Sequence, residues 1–381
     1  MAGCWPEVAS LGIILMGKSS TVGVTLGAMS EDLVATIRTN RKSGIPTLVL
    51  GPPGVGKSQQ VHQAADGDPV VDVRLSMLDP VDLRGLPMVH NGTVQWARPD
   101  FLPSDGTGIL LFDELNTAPV AVQNAALQLI LDRRCGPHKL GDGWYIVACG
   151  NRSSHRAHVN PISAPLRNRF AIVDYVPSVP RWTRWALTHD VHADVISFLN
   201  FSNEYLTTDP SDDYANFASP RSWERVSIML KDEVSDLETF TSLVGRGAAV
   251  AFEAYRKEIA SLPDIDALLD GKATWTHDKS RISITYAIAM ALASRLISAS
   301  QRGAPSASHV DCAASIATTM PPEIAVLFFT ACDLGPPPLA HAIRLAPSLT
   351  AFFKSHAALL RKYGRPAHEL LDEMATSRRR K

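Results

Sequence analysis

From Ser30 to about Pro180 the chain alternates short apolar runs with longer amphipathic stretches. A short apolar run bounded by turn-forming residues reads as a strand buried on both faces. Regular alternation with helical stretches reads as a parallel sheet covered by helices. Five runs fit: TLVLG at 47–51, VVDVRLS at 70–76, GILLFDE at 108–114, WYIVACGN at 144–151 and AIVDYV at 171–176. The predicted fold class is α/β, with a five-stranded parallel sheet.

After Pro180 the period changes. Segments such as SPRSWERVSIML and VGRGAAVAFEAYRKEIASL repeat their apolar positions at helical spacing and hold few β-branched runs. This predicts an all-helical second part. A break at QRGAPSAS, 301–308, sets off a last helical portion that ends in SRRRK. The expected organisation is an N-terminal segment at 1–29, an α/β domain at 30–180, a helical domain at 181–300 and a helical extension at 301–381.

Composition narrows the partners. Lysine and arginine total 37 against 38 acids in 381 residues, so no global basic field draws in nucleic acid or anionic lipid. Any anion site must be local. The five cysteines, Cys4, Cys135, Cys149, Cys312 and Cys332, form no C-x-x-C pair, and a reducing compartment is expected. The first residues place Glu7, and no basic residue, before a short apolar run, which does not suit a signal peptide. With no run of about 18 consecutive apolar residues, a cytoplasmic protein without membrane contact is expected.

Between the first strand and a helix lies Gly51-Pro52-Pro53-Gly54-Val55-Gly56-Lys57-Ser58, which matches G-x-x-x-x-G-K-[ST]. The glycines let successive backbone N–H groups face one concavity, at the positive end of the following helix. Lys57 has the reach for β and γ phosphates and Ser58 for Mg²⁺. Four fixed positions in the right strand-to-helix context make this a specific signal for a nucleoside triphosphate.

Fifty-three residues after Lys57 begins the run Leu110-Leu111-Phe112, which ends in Asp113-Glu114. An acid at a strand's carboxyl edge suits Mg²⁺, and a second acid suits the base that polarises an attacking water. Another strand ends at Asn151, whose amide is placed to orient that water. A surface acid pair and a turn-starting asparagine are the bland alternatives, and the neighbouring phosphate loop weighs against both.

In this order the motifs resemble those of AAA+ ATPases, with Walker A at 51–58, Walker B at 110–114 and a sensor-1 asparagine at 151. The stretch 77–103, with an Asn91-Gly92 turn suited to a hairpin, resembles a helix-2 insert. Residues 132–144 resemble a pre-sensor-1 hairpin. Together with Asp82-Leu83-Arg84-Gly85 this is most similar to the MoxR family, over about residues 30–230. The resemblance implies a P-loop AAA+ domain with a helical lid. It implies an arginine finger at Arg169, with Arg167 as second choice, and a sensor-2 residue at Arg221 in Ser219-Pro220-Arg221. It also implies a homo-oligomer, a hexameric ring, that acts as a chaperone on a protein client, often with a partner bearing a von Willebrand factor A (VWA) domain. The chain departs from common members at Asn151-Arg152, where asparagine-proline is usual.

Other constellations carry less. His155 and His158 have metal-ligand spacing but no third ligand nearby. Arg152 and Arg156 could meet a phosphate backbone in a DNA-acting motor, the runner-up reading, although no recognisable DNA-binding module accompanies them. A nucleotide-switched binding module with negligible turnover is a third reading, disfavoured by Glu114. Trp182 and Trp185, three apart on a predicted helix, suit packing of the lid on the sheet domain. The SRRRK tail suits a solvated terminus.

Overall fold

The computed structural model describes residues 28–29, 33–152, 159–210, 215–348 and 352. Its centre is a parallel sheet of six strands: β1 (Ala28–Met29), β2 (Thr47–Leu50), β3 (Val70–Arg74), β6 (Thr107–Asp113), β9 (Gly143–Gly150) and β10 (Ala171–Asp174). The spatial order is β1-β10-β2-β9-β6-β3. All five predicted runs are strands. The sixth, β1, is two residues long and pairs with the outer edge of β10, so the strand count expected from the sequence is one short. A two-residue strand has no apolar pattern to read.

Side chains of the central strands alternate between two cores, as the two-residue period of a strand requires. Leu110, Phe112, Ile146 and Ala148 join one core, whereas Ile109, Leu111, Val147 and Cys149 join the other. The first core is covered by α4 (Val120–Asp132) through Val122, Ala126 and Leu129. The second is covered by α1 (Leu33–Lys42) and α2 (Lys57–Ala65) through Leu33, Ile37, Val61 and Ala64. Burial on both faces is what made these strands legible as continuous apolar runs.

Both expected inserts are present. Between β3 and β6 the chain makes a 3₁₀ turn, Leu75–Met77, the short helix α3 (Pro80–Arg84), and an antiparallel hairpin of β4 (Pro87–His90) and β5 (Thr93–Trp96). Asn91 and Gly92 sit at φ 51° and 75°, the left-handed pair that a two-residue hairpin turn needs. Every residue of both strands is exposed. A second small hairpin, β7 (Arg134–Cys135) and β8 (His138–Lys139), precedes β9. The Cys135 thiol donates to the Leu83 carbonyl, and Arg98 donates to the Lys139 carbonyl at 2.8 Å, so the two inserts are fastened to each other.

The remainder is helical, from α6 (Val179–Thr188) and α7 (Ala193–Phe201) through α8 (Pro220–Lys231), α9 (Leu237–Val244), α10 (Arg246–Ile259) and α11 (Ile265–Leu269) to α12 (Ile282–Arg302), α13 (Ala307–Thr318), α14 (Pro322–Asp333) and α15 (Pro337–Leu345). The short α5 (Ala164–Arg167) belongs to the α/β part. One hydrophobic core runs from Trp182 to Phe352, so the break at 301–308 does not separate two cores. Trp182 packs inside this core with Trp185 against it, rather than on the sheet, because both face α7 and its neighbours. Helix α12 is long and apolar enough by length and composition to cross a membrane, although the sequence holds no unbroken apolar run of that length. Its Ile284, Ile288, Leu292 and Leu296 lie buried in the helical core, which accounts for that composition.

Candidate functional site

The parallel register brings the carboxyl ends of the strands level. Leu50 pairs with Gly150 and with Asp174, and Arg74 pairs with Asp113. In parallel sheets this edge is where ligands bind, and the predicted residues gather there.

Leaving β2, residues 51–56 curl into a loop that ends at Gly56, which caps α2 in a left-handed conformation at φ 87°. Lys57, the first residue of α2, is only 8% exposed. Its ammonium donates to Gly51 O at 2.9 Å, Pro52 O at 2.7 Å and Asn151 Oδ1 at 2.9 Å. Burial pulls its pKa down to about 8, and the nearby Arg221 charge pushes the same way. Ser58 Oγ donates to Asp113 Oδ2 at 2.7 Å. The other Asp113 oxygen accepts the Glu114 backbone N–H at 2.9 Å. Glu114 turns sharply off the strand at φ 56°, and its exposed carboxylate accepts a hydrogen bond from the Ser76 hydroxyl.

Serine hydroxyl and aspartate carboxylate are hard oxygen donors, the kind Mg²⁺ prefers. Among the described residues there is no cluster of three or more His, Cys, Asp or Glu able to cage a metal. This pair fits a Mg²⁺ that draws its remaining ligands from water and phosphate.

Asn151 follows the last residue of β9, and its backbone is held by a residue the sequence reading did not single out. Asn116 Oδ1 accepts from Asn151 N at 2.9 Å, and Asn116 Nδ2 donates to Asn151 O at 2.6 Å. Arg152 explains the departure from asparagine-proline. Its Nε donates to Asp174 Oδ1 at 2.7 Å, and its terminal nitrogen bonds the same oxygen, which ties the exit of β9 to the end of β10. That buried acid neutralises one of the two arginines considered for a phosphate backbone; Arg156, His155, His158 and the SRRRK tail lie outside the described residues.

Arg221 stands in the first turn of α8, whose N-cap is Ser219 with Pro220 after it. Its backbone N–H donates to Gly54 O at 3.2 Å, so the start of this helix sits on the phosphate loop. Arg167, the last residue of α5, and Arg169, between α5 and β10, are exposed, and no hydrogen bond or ion pair among the described residues joins either to this pocket. Cys149 lies under Lys57 and Asp113, and burial pushes its thiol pKa up, so it stays protonated. Ser76 and Asn116 were missed because a lone serine after a strand and a lone asparagine in a turn have no spacing signature. The cue for Asn116 was only its position two residues after the acid pair.

A phosphate loop at the carboxyl edge of a parallel sheet, a hydroxyl–carboxylate pair beside it and a helical part seated on the loop define the class. This is a P-loop α/β fold with a helical part. Neither a protein-family model nor a curated protein matches the chain. Among solved structures it is similar to a point mutant of RuvB from Thermotoga maritima, at 15% identity and a TM-score of 0.33, covering 64% of this chain and 80% of that one. It is also similar to NtrX from Brucella abortus in complex with ADP, at 15% identity and a TM-score of 0.32, covering 88% of this chain and 70% of that one. The functional reading rests on the chain's own pocket.

Proposed function

We propose that the protein is a Mg²⁺-dependent ATPase that works as a homo-oligomer and remodels a protein client. The observation that carries the ATPase reading is the convergence of α2, β6 and β9. Lys57 touches Asn151 while its neighbour Ser58 touches Asp113, with Glu114 at the rim. In this reading the loop N–H groups and Lys57 bind the phosphates, and Ser58 and Asp113 hold Mg²⁺, which neutralises phosphate charge. Glu114 accepts the proton of the attacking water and Asn151 orients that water. Arg221 reaches the same nucleotide from the lid.

The trans role belongs to Arg169, or to its neighbour Arg167. Either is free to serve another copy's pocket, which is what a hexameric ring requires. The client and VWA-domain partner follow from the MoxR resemblance alone. Supporting a protein client over DNA are the balanced charge, the Arg152–Asp174 ion pair and an apolar, fully exposed hairpin.

The test is an ATPase assay on the full chain with two variants. Lys57→Ala should lose nucleotide binding, whereas Glu114→Gln should bind ATP and turn over at least about 100-fold more slowly. Normal turnover by Glu114→Gln would remove Glu114 as the base. Stimulation several-fold by DNA with steep salt dependence would replace the client reading by the motor.

A further inference from the structure

Asn151 is the first residue past the β9 ladder, where no neighbouring strand is left to bond its backbone. One side chain does so instead. Asn116, 5% exposed, accepts from the Asn151 N–H and donates to the Asn151 carbonyl, closing a two-bond ring in the manner of one more sheet pair. The approach is so close that a Cβ on Gly150 would lie 2.7 Å from Asn116 Oδ1, which glycine alone avoids.

Asn116 is itself fixed. The turn that carries it is closed by Thr117 and Ala118 N–H groups donating to Glu114 O at 3.1 and 3.3 Å, and Leu115 N donates to Cys149 O at 2.9 Å. The Asn116 carbonyl accepts from Asn160 N at 2.7 Å, and Asn160 Nδ2 donates to Ala118 O at 2.9 Å. The turn that starts at Glu114 is therefore the same body that grips Asn151.

We propose that Asn116 is a positioning residue for ATP hydrolysis. By holding the Asn151 backbone it fixes the distance between the Asn151 amide and the Glu114 carboxylate, and so the place of the water between them. This rests on the ATPase reading of Glu114 and Asn151 given above.

Leucine has the branched shape and heavy-atom count of asparagine, with bulkier methyl ends, and can make neither bond. Asn116→Leu leaves the Asn151 N–H and C=O without partners, and the strand end must shift to find others. A misplacement of about 1 Å in a catalytic group can lower a rate about 100-fold. The expected result is kcat reduced about 10- to 100-fold with fluorescent-ADP affinity within about twofold of wild type, a split that loss of fold would not give.

Asn116→Asp supplies a second measurement. An ionised carboxylate still accepts from Asn151 N–H but repels Asn151 O, whereas the protonated acid restores both bonds. At neutral pH an ordinary aspartate is ionised, so Asn116→Asp should also lower kcat at least about 10-fold, with fluorescent-ADP affinity within about twofold of wild type. Asn151→Ala is measured alongside. If it keeps normal turnover, the role of Asn151 fails, and with it the proposal's footing. If Asn151→Ala is slow but Asn116→Leu or Asn116→Asp keeps wild-type kcat, Asn116 has no positioning role.

Discussion

Lys57 shows how one side chain couples the pocket to pH. Burial holds its pKa at about 8, against 10.5 for a free lysine, while its hydrogens are engaged by Gly51, Pro52 and Asn151. In the window from about 8 to 10.5 the folded chain has released a proton that the unfolded chain still holds. Stability of the nucleotide-free chain therefore gains as pH rises through that window, because the cost of burying the charge disappears. Binding a polyanion reverses the preference, since phosphates favour the charged form. Nucleotide binding should take up almost no proton at about pH 7 and close to one at about pH 9, with affinity falling at most about tenfold per unit above 8. Calorimetric titrations in buffers of different ionisation enthalpy read this uptake directly. An uptake that stays constant over the range would mean that Lys57 does not meet the phosphates. Residues of this kind were legible because each has a motif position. Ser76, Asn116 and Asp174 were not, since their roles come from bonds to residues 38, 35 and 22 positions away.

At the scale of elements, α8 matters most for its first turn. Ser219 accepts from Ser222 N at 3.2 Å, Ser222 Oγ accepts from Ser219 N at 2.8 Å, and the next N–H along bonds the phosphate loop at Gly54. The cap therefore orders both the helix and its seat on the loop. Ser219→Ala should destabilise by about 1 kcal/mol, as loss of an N-cap generally does, and should also weaken nucleotide binding. Asp236 caps α9 through Thr239 N at 2.8 Å, and no hydrogen bond among the described residues joins α9 to the loop. Asp236→Ala should show a similar loss of melting temperature with nucleotide affinity unchanged. Equal affinity losses in the two variants would mean that the α8 cap has no special link to the pocket. The strands were readable because parallel, doubly buried strands leave unbroken apolar runs. The Asn91-Gly92 hairpin was readable from its turn chemistry. Strand β1 was not, because two residues offer no alternation to read.

For the whole molecule, the helical part is one body from Trp182 to Phe352, although the sequence suggested a boundary near 301–308. Gly, Pro and Ser mark a turn there, and a turn between packed helices looks the same in sequence as a linker between domains. The trans reading of Arg169 is a statement about assemblies, and mixing tests it. Arg169→Ala and Glu114→Gln chains should each be inactive alone and yet recover turnover together, because an intact pocket then meets an intact finger. A mixture that stays inactive would mean that Arg169 does not serve a neighbour. The exposed hairpin has its own consequence at this scale. Val89 is 78% exposed near its tip, while its base is fastened through Leu83 to Cys135 and through Arg98 to Lys139. Four residues at about 3.3 Å each give each strand a length of about 13 Å beyond that base. A rotation of about 5° at that base would carry the tip about 1 Å. Shortening it by a residue pair on each side would halve that stroke without touching the pocket.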